Sequence, residues 1–357
     1  MFRILAEDER SGARAGVLRT AHGDLETPAF LPVATKGVVK TLTPDELRSI
    51  GAHGIIVNSF HFLLRGRDAV AKAGGIHEFM KWDRVIFTDC GGFQLIRKDF
   101  SFRLSDEGMS FKLPDGTPYL LDPGGSLLLQ EEMGSDVAFS LDDCPPLGSN
   151  EKRTLLSMER TAKWAEESLA ARESEDTLLF GIVQGGGDAE LRKDHARTVA
   201  ELEFDGFGIG GLGLGEPKET TMAMVEASLK GLPPASPKHL LGIGSLGDLR
   251  HYVSAGVDIF DSAFPARNAR HGTFFAGGGS HDIRKRRFEG VMDPLDADCG
   301  CYACGEFTAG YIHHLYKEKE MLAMRLLSIH NLAAVETWMA EARVSLREGA
   351  FSPPVRV

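Results

Sequence analysis

Eight short apolar runs recur along the 357-residue chain, each ending in polar or glycine-rich residues and followed by a helical pattern. They are residues 26–34 (ETPAFLPVA), 54–60 (GIIVNSF), 85–92 (VIFTDCGG) and 137–143 (VAFSLDD), then 178–186 (LLFGIVQGG), 206–212 (GFGIGGL), 239–245 (HLLGIGS) and 258–265 (DIFDSAFP). Amphipathic segments such as TPDELRSIGA, the run 151–174, AELRKDHARTVAEL and GDLRHYVSAG lie between them. Strands that alternate with helices make parallel βαβ units. Eight of them predict an α/β chain closed as a TIM (β/α)8 barrel rather than an open doubly wound sheet. One segment interrupts the pattern. Residues 98–122 alternate apolar and polar positions around the turn signals SDEG and PDGT, which predicts an antiparallel hairpin insertion. After the eighth run come a cysteine-rich stretch and a largely helical tail from about Glu306 to Glu348. The expected organisation is a barrel over 1–270 and a zinc-binding, helical C-terminal subdomain over 271–357, packed together as one structural unit.

With 43% hydrophobic and 25% charged residues the chain can bury a substantial core. Its start is too polar for a signal peptide and no apolar run nears the ~18 residues of a membrane span. A cytoplasmic protein with no membrane partner is expected. The net charge of −11 opposes indiscriminate nucleic-acid binding. Charge is local, however: Arg267, Arg270, Arg284, Lys285, Arg286 and Arg287 fall within 267–287 with only Asp282 opposing them. That stretch reads equally as a selective RNA contact or as a solvated loop.

Three of the five cysteines, Cys299, Cys301 and Cys304, form C-x-C-x-x-C, too tight for an ordinary disulfide framework. Three thiolates and one imidazole make the closed tetrahedral set of structural zinc, with no open position for water. By spacing alone His330, His313 and His314 compete for the fourth place.

In a barrel, chemistry sits where strands end. Those positions hold Asp89, Asp142, Gln184, Gly210–Gly211, Gly242–Gly244 and Asp261. One strand-end aspartate is often just a helix cap; four polar side chains at separate strand ends are more than capping requires. Two carboxylates on one pocket, Asp89 and Asp261, are the minimal kit for displacement at an anomeric carbon. Cys90 has no histidine near it in sequence and reads as a packed small side chain. Phe93 either stacks on an aromatic substrate or fills the barrel mouth. GIGGLG (208–213) and GIGSLG (242–247) match a dinucleotide fingerprint weakly, and neither opens the first βαβ unit. Anion-binding loops late in a barrel account for them better.

Taken together, TDCGGFQ, GSDVAFSLDDCPP, FGIVQGG, GFGIGGLGLGE, LLGIGS, GVDIFDSAFPARNARHGT and the cysteine segment through YIHHL to His330 resemble the tRNA-guanine transglycosylase (queuine tRNA-ribosyltransferase) family. The resemblance runs nearly end to end and points to a bacterial-type catalytic chain. It implies that Asp261 is the nucleophile that displaces guanine from ribose, through a covalent enzyme–RNA intermediate. Asp89 is implied as the general acid–base. Asp142 would read the pyrimidine edge of the base, Gln184 and the backbone N–H of Gly211 its carbonyl oxygen, and Phe93 would stack on it. Cys90, Gly91, Gly92 and Leu212 complete the implied base pocket. Gly242, Ile243, Gly244, Ser245, Leu246, Gly247 and Asp248, with Ala266, Arg267, Asn268, Ala269 and Arg270, match RNA-contacting segments. His330 is implied as the fourth ligand of one structural zinc per subunit.

The implied partners are tRNA, a free deazaguanine base and a second copy in a homodimer. Lack of the appended domains of archaeal relatives favours the wobble guanine. The chain departs from the family at Cys90 (usually serine), Ser262 (often cysteine) and Ala266 (usually threonine). Leu214 and Glu216 fall where the base substituent is read. A non-catalytic partner subunit and a retaining barrel glycosidase are the competing readings; intact Asp89, Asp142, Gln184 and Asp261 argue against the first.

Overall fold

In a computed structural model that describes residues 1–92 and 102–353, eight parallel strands form one sheet. They are Ala29–Pro32, Gly54–Asn58, Val85–Asp89, Val137–Phe139, Leu178–Val183, Gly206–Ile209, Lys238–Leu240 and Ile259–Ser262. Each pairs with its sequence neighbour, and the eighth pairs with the first. A Val33–Ile56 bridge, with the Ala34 N–H donating to the Ile56 carbonyl at 2.7 Å, joins the first strand to the second. The barrel is thereby closed, and all eight predicted runs supply its staves.

The alternation of side chains along the strands divides the core. Phe87, Phe139 and Phe180 meet one another at ring-centroid distances of 5.8–6.3 Å. They belong to one buried cluster with Leu31, Ile56, Ile182 and Ile259. Strand residues of the other face, such as Ile55, Val57, Ile86, Ala138 and Phe207, join a second cluster with residues of the surrounding helices. An aromatic plug of this kind makes the barrel interior a packed floor rather than a pore.

Three additions frame the barrel. Residues Phe2–Glu7, Arg14–Thr20 and Gly23–Thr27 form an antiparallel sheet whose Leu18 and Leu25 enter the interior cluster. Its Arg14 makes a buried ion pair with Asp258, 2.8 Å, just before the eighth strand. This sheet has no counterpart in the expected pattern. The insertion is antiparallel as expected but has three strands, Arg103–Ser105, Gly108–Lys112 and Pro118–Leu121. Both turn signals are used, so the expected hairpin gains a strand. The part of that insertion at 98–101 lies outside the described residues.

The third addition begins with a hairpin, Thr273–Ala276 and Gly279–Asp282, also unexpected. Its two-residue loop is Gly277–Gly278, with φ of 54° and 75°, the conformation that short hairpin turns demand and glycine supplies. Helices Tyr302–Glu306, Ala309–Lys317 and Met321–Arg347 follow. The last packs on the barrel helix Phe264–Arg270. Its Asn331 fixes the contact: Nδ2 donates to the Pro265 and Thr273 carbonyls (3.1 and 2.9 Å), and Oδ1 accepts from the Phe275 N–H (3.1 Å). Among the described residues no helix is long and apolar enough to cross a membrane.

Candidate active site and metal centre

A cavity of about 340 Å³ opens at the C-terminal ends of the strands, lined by Asp89, Asp142 and Asp261 together with Asn58, Cys144, Gly210–Leu214, Gly242 and Arg267. The three predicted carboxylates therefore share one site. Each is held differently.

Asp89 ends the third strand. Its Oδ2 accepts from Asn58 Nδ2 (2.8 Å) and its Oδ1 from the Gly91 N–H (3.0 Å). Burial raises its pKa, the facing charge of Asp261 adds to that, and the two hydrogen bonds only partly oppose it. Asp261 ends the eighth strand. Its Oδ1 accepts from His239 Nε2 (2.9 Å) and from the Gly242 N–H (3.2 Å). One carboxyl biased toward its protonated form beside a second carboxylate is the pattern of an acid–base and nucleophile pair.

Asp142 follows the fourth strand. Burial pushes its pKa up to about 7, reinforced by the charges of Asp89 and Asp143. Its Oδ1 accepts from the Cys90 thiol (3.3 Å) and its Oδ2 from Gln184 Nε2 (2.6 Å). Burial holds the Cys90 thiol far above its ordinary range, so it serves as a donor and not as a thiolate nucleophile. Gln184 is itself fully buried, and its Oε1 has no partner among the described residues. A buried unpaired acceptor beside a doubly engaged carboxylate is a polar wall awaiting a ligand with matching groups.

Gly92 packs against that wall. A Cβ there would fall 2.1 Å from Asp142 Oδ1 and 2.5 Å from the Asp142 carbonyl. Gly92→Ala is therefore expected to displace Asp142 from Gln184, a shift that a crystal structure of the variant would show. Phe93, expected to stack on the base, lies outside the described residues.

Several supports escaped the sequence reading. Arg192 is buried in the helix Ala189–Ala200. Its guanidinium donates to the carbonyls of Gly186 (2.8 Å), Gly210 (3.0 Å) and Gly211 (3.4 Å), tying the loops after the fifth and sixth strands. His195 Nδ1 accepts from the Gln184 N–H (3.1 Å), which places its proton on Nε2, facing the Met158 carbonyl at 3.1 Å. Glu216, expected where the base substituent is read, already accepts from the Gly213 and Leu214 N–H groups (2.6 and 2.9 Å) and from Thr221 Oγ1 (2.8 Å). It shapes the loop that carries Leu214. GIGGLG begins in the last two residues of the sixth strand and its Gly210–Gly213 wall this cavity, and GIGSLG runs into the helix Leu246–Ala255, capped by Ser245.

Of the RNA-contacting candidates, Arg267 is exposed at the cavity rim, while Ala266 and Ala269 are buried. Arg270 donates to the Ala266 carbonyl (2.8 Å), and Ile243 and Leu246 pack partly against the core. Asp248 pairs with Lys218 at 2.7 Å. Farther out, Arg284 pairs with Asp282 at 2.8 Å and Arg287 lies over the Phe288 ring at 4.8 Å. Lys285 and Arg286 are exposed beside them.

The ligand atoms of Cys299, Cys301, Cys304 and His330 all lie within 4.8 Å of one another. His330 Nδ1 is 3.3 Å from Cys304 Sγ and 3.8 Å from Cys301 Sγ. Its Nε2 donates to the Phe275 carbonyl at 2.6 Å, which fixes the tautomer and leaves the Nδ1 lone pair facing the sulfurs. His313 is committed elsewhere, with Nδ1 2.6 Å from the Ile283 carbonyl, and His314 is exposed. The donor set fits a metal ion with four protein ligands. A second group, His22, His77 and Asp136, also brings donor atoms within 4.8 Å. There the two imidazoles stack face to face, 3.6 Å apart and 17° from parallel, so no ion can lie in both ring planes.

Comparison with known proteins agrees with this geometry. The family model described as queuine tRNA-ribosyltransferase matches residues 8–356. A queuine tRNA-ribosyltransferase of Dehalococcoides mccartyi is 44% identical over 352 residues, covering 98% of this chain and 90% of the relative. Those of Moorella thermoacetica and Pelotomaculum thermopropionicum are 42% and 41% identical over 350 residues, covering 98% of this chain and 94% and 95% of theirs. The chain belongs to the queuine tRNA-ribosyltransferase family.

Proposed function

We propose that the chain is a tRNA-guanine transglycosylase, a pentosyltransferase that exchanges the wobble guanine of GUN-anticodon tRNAs for a 7-deazaguanine base, queuine or a precursor. The observation that carries this is the Asp142–Gln184 wall set beside the Asp89 and Asp261 pair in one cavity. A retaining glycosidase needs the pair but has no use for the wall.

In this reading Asp261 attacks C1′ of the nucleotide. The C1′–N9 bond breaks, its electron pair stays on the guanine, and Asp89 supplies the proton. The free base then enters, loses its proton to Asp89 and displaces Asp261, so two inversions give net retention without ATP. Asp142 accepts from the N–H groups of the base edge. The second hydrogen of Gln184 Nε2 and the Gly211 N–H donate to its carbonyl, and Cys90, Gly91, Gly92, Phe93 and Leu212 close the pocket around it. The loop 242–248 and the helix with Arg267, Asn268 and Arg270 would hold the RNA. Cys299, Cys301, Cys304 and His330 would hold zinc, which would supply cross-linking and no reaction step, because four protein ligands would leave no open position. We further infer a cytoplasmic homodimer in which 1–270 and 271–357 act as one unit.

The identity of the base is tested by incorporation of labelled guanine into a GUN-anticodon transcript, with unlabelled candidate bases as competitors. Incorporation that survives replacement of the wobble guanine by adenine would overturn the assignment of position. A pH dependence follows from Asp142. Its carboxyl must be ionised to accept two N–H groups, and its pKa lies at about 7 in the free protein. Base binding therefore strengthens as pH rises through that value: KM for free guanine is expected to fall about tenfold between pH 6 and pH 8. The Asp142→Asn variant should bind guanine weakly at both pH values, without that slope.

A further inference from the structure

We propose that His239 is a positioning residue that decides which oxygen of Asp261 attacks the ribose: by pinning Oδ1 it presents Oδ2. The inference rests on the transglycosylase reading and goes beyond it.

His239 lies in the seventh strand and is fully buried. Its Nε2 sits 2.9 Å from Asp261 Oδ1. The Gly242 N–H reaches that same oxygen at 3.2 Å. Among the described residues no hydrogen bond reaches Oδ2, while the Asp261 side chain retains 12% exposure at the cavity. The two oxygens of a free carboxylate are equivalent. Two donors on one of them remove that equivalence and stop rotation about Cβ–Cγ.

The surroundings of the imidazole fix its tautomer. Phe87 and Phe139 stand edge-on to it at 5.5 and 5.3 Å, and its Nδ1 is buried without a partner among the described residues. A proton on Nδ1 would leave that donor orphaned against aromatic rings and turn the Nε2 lone pair toward a carboxylate oxygen. The proton belongs on Nε2, where the carboxylate accepts it. An unpaired lone pair on Nδ1 is the lesser cost. The packed aromatic floor of the barrel thus has a role at the site: it holds one polar edge rigidly under the nucleophile.

Attack by Oδ2 forms the Oδ2–C1′ bond as the C1′–N9 bond breaks and its electron pair leaves on the guanine. In the resulting ester Oδ1 is the carbonyl oxygen and keeps both donors. The second displacement breaks Oδ2–C1′, and the carboxylate charge returns to a group whose hydrogen bonds are already in place. Positioning of this kind acts on kcat and leaves RNA binding alone.

The test compares His239→Leu, which removes the donor, with His239→Gln, whose amide Nε2–H₂ reaches about as far as the imidazole Nε2. The expected result is a kcat for guanine exchange about 10- to 100-fold lower in His239→Leu, with KM for tRNA unchanged and kcat substantially restored in His239→Gln. A crystal structure of the covalent complex, trapped with tRNA and no free base, should show C1′ on Oδ2 and His239 still on Oδ1. Wild-type kcat in His239→Leu, an equal loss in both variants, or C1′ on Oδ1 would overturn the inference. No exchange by the wild type would instead overturn the transglycosylase reading beneath it.

Discussion

Asp261→Asn is expected to lose guanine exchange by at least about a thousandfold, with tRNA affinity retained. The amide has the same shape. Its carbonyl can still accept from His239 and the Gly242 N–H, which hold Oδ1 at 2.9 and 3.2 Å, so the cavity should keep its form. On the proposed mechanism, what disappears is the anionic oxygen that bonds to C1′, and with it the covalent intermediate. Asp89→Asn should fail differently. It keeps the nucleophile but removes the group whose raised pKa lets it hold a proton for the departing base. Exchange rates measured alongside direct tRNA binding separate these losses from misfolding.

If the cage holds one zinc ion per chain, as proposed, His330→Ala should reduce it to none and lower the thermal midpoint markedly. Binding of structural zinc is worth roughly 10–16 kcal/mol in isolated finger peptides, and a folded barrel shows only part of that. The damage should be local at first. His330 also donates to the Phe275 carbonyl. The next residue, Asn331, bonds to Pro265, Thr273 and Phe275, so the cage and the helix bearing Arg267 share one anchor. Weakened tRNA binding should follow the loss of metal. His313→Ala is the control: its imidazole serves the Ile283 carbonyl, and zinc content should not change. Metal analysis of the purified variants decides the matter, and full zinc in His330→Ala would remove it from the ligand set.

The barrel was legible because its eight strands are buried runs with polar ends, a pattern that survives without contacts. The N-terminal sheet was not. Its strand Phe2–Glu7 alternates between half-buried and exposed positions, and the sheet reaches the interior chiefly through Leu18 and Leu25. Of the candidate site, residues at strand ends could be found by position, since a polar side chain there has no packing reason to exist. His239 could not. It opens the run 239–245 beside Lys238, at the end of that run away from the expected site, and only the fold brings it to Asp261. Arg192 and His195 look like the polar face of a helix until the helix packs with that face inward. Spacing left three histidines for the fourth metal position; His330 alone among them has its free nitrogen at the sulfurs.

The most direct test of the central claim is to quench the wild-type chain with a GUN-anticodon RNA, without free base, and map the modified peptide by mass. The expected product carries the RNA through ribose C1′ on the peptide containing Asp261, and it disappears when guanine is added before quenching. An adduct on the peptide containing Asp89, or guanine exchange that persists undiminished in Asp261→Asn, would contradict the account.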